Sequence, residues 1–169
     1  MAVRMELSRI LIRELNDYQI IELREVAPIS GDVDADGGDK SDGEPGKPGG
    51  NGVKQEFSQV EGGRAFPIVI GLPEAQAIER RLKGAPIKRP QTHDLLMNII
   101  ESLGAKLESI AINDLSDQTF YAVLNLRDKS GKLLEIDSRP SDAIALGIAS
   151  NVPIYVAEHV LDAVQKDEE

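Results

Sequence analysis

His93, Asp94, Glu135, Asp137 and Asp142 form the one constellation in this chain whose residue types and spacing could do chemistry. Oxygen-rich side chains with a single imidazole suit Mg2+ or Mn2+ better than softer metals. Two of the five stand side by side as His93-Asp94, and the others fall within Glu135-Ile-Asp-Ser-Arg-Pro-Ser-Asp142. For Asp137, Arg139 and Asp142 two readings stay open: carboxylates that serve a reaction, or an Arg gripped bidentately between carboxylates to fix a corner of the fold. Asp94 also reads as a favourable charge in the first turn of a helix, and His93 as a hydrogen-bonding residue near the same end.

Other chemistries find no support in the sequence. The chain has no cysteine, which removes thiol catalysis, zinc fingers and disulfides, and leaves His93 and His159 as the imidazoles. It contains no P-loop, no Gly-x-Gly-x-x-Gly, no Gly-x-Ser-x-Gly and no His-Glu-x-x-His. Aromatic residues are 4% of the chain and Trp is absent, which argues against base-stacking platforms of the RNA-recognition type.

The elements that must position these residues follow from the pattern around them. Pro140 fits the first turn of a helix, and Ser138, Ser141 and Asp142 suit capping positions beside it. From Ala143 to Ala149 that helix has almost no polar face, so it is expected at the centre of the core. Thr92 is expected to cap a second helix, with a face of Leu95, Leu96, Ile99, Ile100 and Leu103 and Gly104 as its stop. Pro73 opens a third, with Ala75, Ile78 and Leu82 as a modest apolar stripe and Glu79, Arg80, Arg81 and Lys83 left for solvent. Strands are expected at 3–12 and 19–26 as a hairpin, at 64–71, at 107–115, 119–126 and 133–137 as a meander, and at 153–156. A last helix begins at Val160. Strands outnumber crossovers, so the predicted class is α+β, a mostly antiparallel or mixed sheet with a central buried helix and flanking helices.

Length and composition predict one domain over residues 1–164, interrupted by an acidic, Gly-rich insertion at about 29–61 that reads as a flexible loop, and followed by a charged tail at 165–169. Within the insertion, Asp32-Val-Asp-Ala-Asp-Gly37 imitates the start of a calcium loop. Position twelve is Gly43, however, where a bidentate Glu is required. The formal net charge is −10. Residues 62–142 nevertheless carry 11 basic and 11 acidic groups, so the excess lies outside the segment that holds the constellation. Net charge therefore does not exclude nucleic acid. No apolar run approaches the ~18 residues of a membrane span, and the expectation is a cytoplasmic protein without membrane contact.

Four blocks, Phe66-Pro-Ile-Val-Ile-Gly-Leu-Pro-Glu-Ala75, Arg89-Pro-Gln-Thr-His-Asp-Leu-Leu96, Thr119-Phe-Tyr-Ala122 and Glu135-Ile-Asp-Ser-Arg-Pro-Ser-Asp-Ala-Ile-Ala-Leu146, resemble in order and spacing the bifunctional nuclease domain family. The resemblance implies an α+β domain that self-associates, as a dimer or higher homo-oligomer, and cleaves RNA and DNA; plant members are implicated in defence. Carried onto this chain, the matching polar positions are Arg64, Glu74, Arg89, Thr92, His93, Asp94, Asp137, Ser138, Arg139, Ser141 and Asp142. The leading expectation is a phosphodiesterase in which Asp94, Asp137 and Asp142 hold Mg2+ or Mn2+, His93 is general acid or base, and Arg64, Arg89 and Arg139 meet substrate phosphate. The alternative is a non-catalytic, self-associating interaction domain or a small-ligand binder, in which the same Asp and Arg groups are structural.

Overall fold

A computed structural model describes residues 1–29 and 55–167. The insertion's calcium-loop imitation and most of its length lie outside these residues, as does the end of the tail. The described chain runs β1 (Ala2–Leu11), β2 (Gln19–Pro28), β3 (Phe57–Gln59), β4 (Ala65–Ile70), α1 (Leu72–Lys83), α2 (Thr92–Ser102), β5 (Lys106–Ser116), β6 (Thr119–Arg127), β7 (Leu133–Ser138), α3 (Pro140–Ser150), β8 (Ile154–Ala157) and α4 (Glu158–Lys166). The class is α+β, built on an eight-stranded mixed sheet.

In order across the sheet, the strands are β3-β2-β1-β8-β5-β6-β7, with β4 also pairing β2. Only β5 with β8 is parallel; the other pairs are antiparallel. β4 and β3 share the outer side of β2, so Pro67 lies on an edge strand, where its missing N–H costs no ladder bond. The β1–β2 hairpin closes on Gln19, which is buried. Its amide donates to the carbonyls of Arg13 and Asn16, both at 3.0 Å, and its oxygen accepts from the Arg13 N–H. At the β5–β6 turn Asp117 and Gln118 both have positive φ, 48° and 60°, the values a two-residue type I′ hairpin requires.

α3 is the buried element, as its sequence predicts. Pro140, Ser141 and every residue from Ala143 to Gly147 are buried against the sheet. Its small residues permit this. A Cβ added at Gly147 would stand 3.4 Å from the Ile110 side chain, so the helix backbone lies almost on the strand. α1 and α2 flank α3, and α4 packs Val160 and Leu161 against β5 and β8. No helix among the described residues is long and apolar enough to cross a membrane.

Four details depart from the sequence expectations. Phe57–Gln59, within the expected loop at 29–61, is a strand, held by pairing with Val26–Pro28 and by the Arg4 guanidinium 3.5 Å above the Phe57 ring. Thr92 is the first helical residue of α2 rather than its cap. The Asp94 carboxylate reaches back to the Gln91 N–H at 3.0 Å, which moves the cap position one residue earlier. α3 has Arg139 at its cap position and no side-chain cap, because the Ser138 hydroxyl donates to the Arg139 carbonyl and Asp142 is engaged elsewhere. Finally, no residue of α2 is buried. Met97 and Ile100 touch the core, whereas Leu95, Leu96, Ile99 and Leu103 face water.

Candidate active site

Three helix beginnings meet at one place. Glu74 lies in the first turn of α1, His93 in that of α2 and Asp142 in that of α3. α1 and α2 both pack on α3, which brings these turns together although they are far apart in the chain. Arg139, held between the end of β7 and Pro140, crosses the junction. Its Nε donates to Asp142 Oδ2 at 2.8 Å, and its Nη2 donates to Asp142 Oδ1 at 3.0 Å and to Glu74 Oε1 at 3.1 Å. His93 Nε2 stands 3.0 Å from Asp142 Oδ1. A continuous chain Glu74–Arg139–Asp142–His93 results.

The electrostatics follow from these contacts. Burial works to raise the pKa of Asp142, but hydrogen bonds and charge from Arg139 and His93 outweigh it and hold the carboxyl below its usual range. Asp142 is thus an anion at neutral pH, oriented by a guanidinium on one side and an imidazole on the other. The bond with Asp142, then its charge, then Glu74 raise the pKa of Arg139. In the neutral ring, an Nε2–H donated to the Asp142 carboxylate leaves the lone pair on Nδ1, so the pair selects one tautomer.

Two openings adjoin the chain. His93 lines a small cavity of about 140 Å3 together with Arg80, Arg81 and Asp94. Arg139 and Ser141 line a wider cleft of about 550 Å3, whose walls include Tyr18, Val69 and Gln118. A third space, of about 430 Å3, extends from Arg81 and Asp94 along α2 to Lys106. Arg81 donates to the Ala149 carbonyl at 2.8 Å, and Arg80 stands 3.8 Å from Asp94.

Of the residues expected at a site, His93, Arg139 and Asp142 come together, and Asp94 borders the same cavity as His93 while capping α2. Asp137 does not join them. It sits opposite Val123, on the face of the sheet away from Ala122 and Leu124, against which α3 packs. Glu135 shares that outer face, opposite Asn125. Arg64 is also elsewhere. It stands at the other end of β4 from Gly71, a separation of roughly 20 Å by strand rise, and its guanidinium is spent on Glu25 at 3.1 Å and Glu158 at 2.7 Å. Arg89 lies in the exposed segment between α1 and α2, with no ion pair among the described residues. The expected ion cage of Asp94, Asp137 and Asp142 does not converge, and among the described residues no three His, Asp or Glu side chains are grouped to hold a metal.

Glu74, Arg80 and Arg81 belong to the assembled site but were read from the sequence as a matching position and a solvated face. For Glu74 a signal was available: it is the third residue of a helix with proline in its first turn, as Asp142 is in α3.

Residues 57–169 match the sequence profile of the bifunctional nuclease domain. The chain belongs to that family. The matched span contains the whole Glu74–Arg139–Asp142–His93 chain and the arginines around it, while the β1–β2 hairpin lies outside it. Two proteins of Mycobacterium tuberculosis, the uncharacterized proteins MT1877 and Rv1829, are each 42% identical to this chain over 103 residues, covering 61% of it. The chain spans 60% of the length of these curated relatives.

Proposed function

We propose that this bifunctional nuclease domain hydrolyses phosphodiester bonds of RNA or DNA at the small cavity beside His93. One observation carries the reading: a His–Asp pair, braced by Arg139, opens on a cavity whose other wall holds Arg80 and Arg81. Asp142 keeps the imidazole in one tautomer, and Nδ1 takes a proton from water as that oxygen bonds to phosphorus. The bond from phosphorus to the leaving oxygen breaks, and the imidazolium or solvent returns a proton to it. Arg80 and Arg81 offset the charge that builds on the phosphoryl oxygens. Assistance by Mg2+ or Mn2+ belongs to the proposal as a point to test. The carboxylates expected as its ligands are dispersed, so no step is written through an ion.

A second reading rests on a specific observation. Arg139, the guanidinium of the Glu74–Arg139–Asp142–His93 series, is already matched by Glu74 and Asp142, as in a structural junction that locks three helices together. Cleavage assays on single-stranded RNA and DNA, with and without chelator, separate the two. Wild type and His93→Ala should be purified in parallel to control for contaminating nuclease. The nuclease reading expects cleavage by wild type and its loss in a folded His93→Ala. Equal activity in both preparations, or none in either, supports the structural reading.

A further inference from the structure

The hairpin tip of β5 and β6, the start of β4 and the last turn of α4 enclose a cavity of about 530 Å3 that the proposed cleavage does not use. Its floor is apolar. Phe66 and Phe120 stack there, with ring centroids 5.7 Å apart and planes 29° from parallel. Leu115 and Val164 complete the lining, and like Phe120 they are only partly buried, so the core opens to solvent here instead of closing. Open apolar concavities of roughly 300–1,000 Å3 are the common seat of small molecules, with a few polar groups at the mouth deciding which one enters.

The polar groups at this mouth set the sign of the ligand. Asp117 and Asp167 line it, both are exposed, and neither shares an ion pair with another described residue. Asp167 directly follows α4, at the end where a helix presents its last carbonyls and the negative pole of its dipole. A carboxylate at that end is disfavoured by the helix itself, and the sequence continues with Glu168 and Glu169. Lys166 is the one cation among the lining residues. Its long stem extends the apolar wall while its ammonium can reach water.

We propose that this cavity binds a small organic cation: an amine whose aryl or alkyl body packs on Leu115, Phe120 and Val164 and whose ammonium meets Asp117 and Asp167. The partly exposed ring of Phe120 adds attraction of its own, because the face of an aromatic ring is negative. A phosphate-bearing ligand does not fit, since the carboxylates and the helix end meet it with like charge. The cavity beside His93 is the opposite case, with Arg80 and Arg81 in its wall. The assignment therefore stands or falls independently of the nuclease reading.

Three probes that share one body test it on the full chain at fixed ionic strength: 4-phenylbutylamine, 4-phenylbutanol and 4-phenylbutyrate, each followed by amide shifts in 1H–15N spectra. The amine should bind with a dissociation constant on the order of 1 mM, as its size allows, and move the amides of Phe120 and Val164. The carboxylate should bind about tenfold more weakly or not at all, with the alcohol between them. Asp117→Asn combined with Asp167→Asn should weaken the amine by about threefold or more and leave the alcohol unchanged. Asn accepts the positive φ of 48° at position 117, so the turn survives the change. Val164→Trp fills the cavity and should remove binding of both; melting curves confirm that each variant is folded, and if this one is not, the probe series and the Asn variant decide. Amides that stay still with the amine at ~10 mM, well above that constant, overturn the proposal. So does a carboxylate that binds as tightly as the amine, an Asn variant that binds the amine like wild type, or amine binding that survives in a folded Val164→Trp.

Discussion

Replacing Asp142 with Asn separates catalysis from architecture, because the shape of the side chain is kept while its charge and one acceptor are removed. In the wild type both carboxylate oxygens are occupied, Oδ2 by Arg139 and Oδ1 by Arg139 and His93. An Asn has one oxygen for these donors, and its NH2 must point at the other. One charge-assisted bond is therefore lost and replaced by two opposed donors. Such bonds contribute about 1.5–3 kcal/mol, and the side chain is 26% exposed, so the lower half of that range applies. At roughly 2–4 °C per kcal/mol for a chain of this size, melting should fall by about 3–9 °C at pH 7.

The pH dependence has a definite sign. The pKa of Asp142 is lower in the folded state, so its contribution is fully present above the usual carboxylate value of 3.8 and is lost as pH falls through the folded-state value. The gap between wild type and Asp142→Asn should be constant from pH 5 to 8 and close below about pH 4. Thermal melts across this range, with cleavage measured on the same preparations, form the assay. If His93 is the general base, cleavage should drop by about 10²–10⁴-fold, far beyond the loss of folded protein. A variant as stable as wild type at pH 7, or a gap that does not begin to narrow as pH falls below the usual carboxylate value, would refute the bonding argument. Activity that falls only in step with unfolding would refute the catalytic one.

Ile144→Asp should abolish folding, since Ile144 is fully buried and an unpaired carboxylate there costs several kcal/mol of a total near 5–15 kcal/mol; cooperative unfolding of a soluble variant by urea would contradict it. Arg64→Ala should lower the melting temperature by several degrees while leaving the cleavage rate per folded molecule unchanged, because Arg64 ties Glu25 to Glu158 away from His93. A folded Arg64→Ala with reduced kcat would put Arg64 back in the site. Arg81→Ala should raise KM for an oligonucleotide more than Arg139→Ala does, measured at low salt where phosphate contacts contribute most.

Much of the fold was legible because it is written in local chemistry. Pro140 followed by an all-round apolar run specified a buried helix, Gly104 specified the end of α2, and it adopts φ 77° there. The meander from β5 to β7 could be read from alternation and turn residues. What could not be read depends on partners distant in the chain. β8 inserts between β1 and β5, and only that parallel pairing makes the sheet mixed. β3 is three residues that form a strand because Val26–Pro28 is there to pair with them. The stripe on α2 was legible, but what it faces was not: periodicity shows that a face is apolar and cannot show whether the same chain covers it.

The site divides in the same way. His93, Arg139 and Asp142 stood out as ionisable groups beside core helices, yet the contacts that define them span 49 residues from His93 to Asp142 and 65 from Arg139 to Glu74. Asp137 was misplaced by a parity argument that the sequence does contain: one residue before Ser138 on a strand, it must point to the opposite face. Charge bookkeeping then bears on function. Arg139 is one positive charge between two carboxylates, so the junction alone carries a net negative charge and cannot by itself attract a phosphate. Arg81 differs, since its partner is the neutral carbonyl of Ala149, and Arg80 reaches Asp94 only at 3.8 Å. The uncommitted positive charge near His93 therefore comes from the end of α1, from residues that sequence reasoning assigned to solvent. If this domain holds a phosphodiester, the side of His93 facing Arg81 is where its charge can be met.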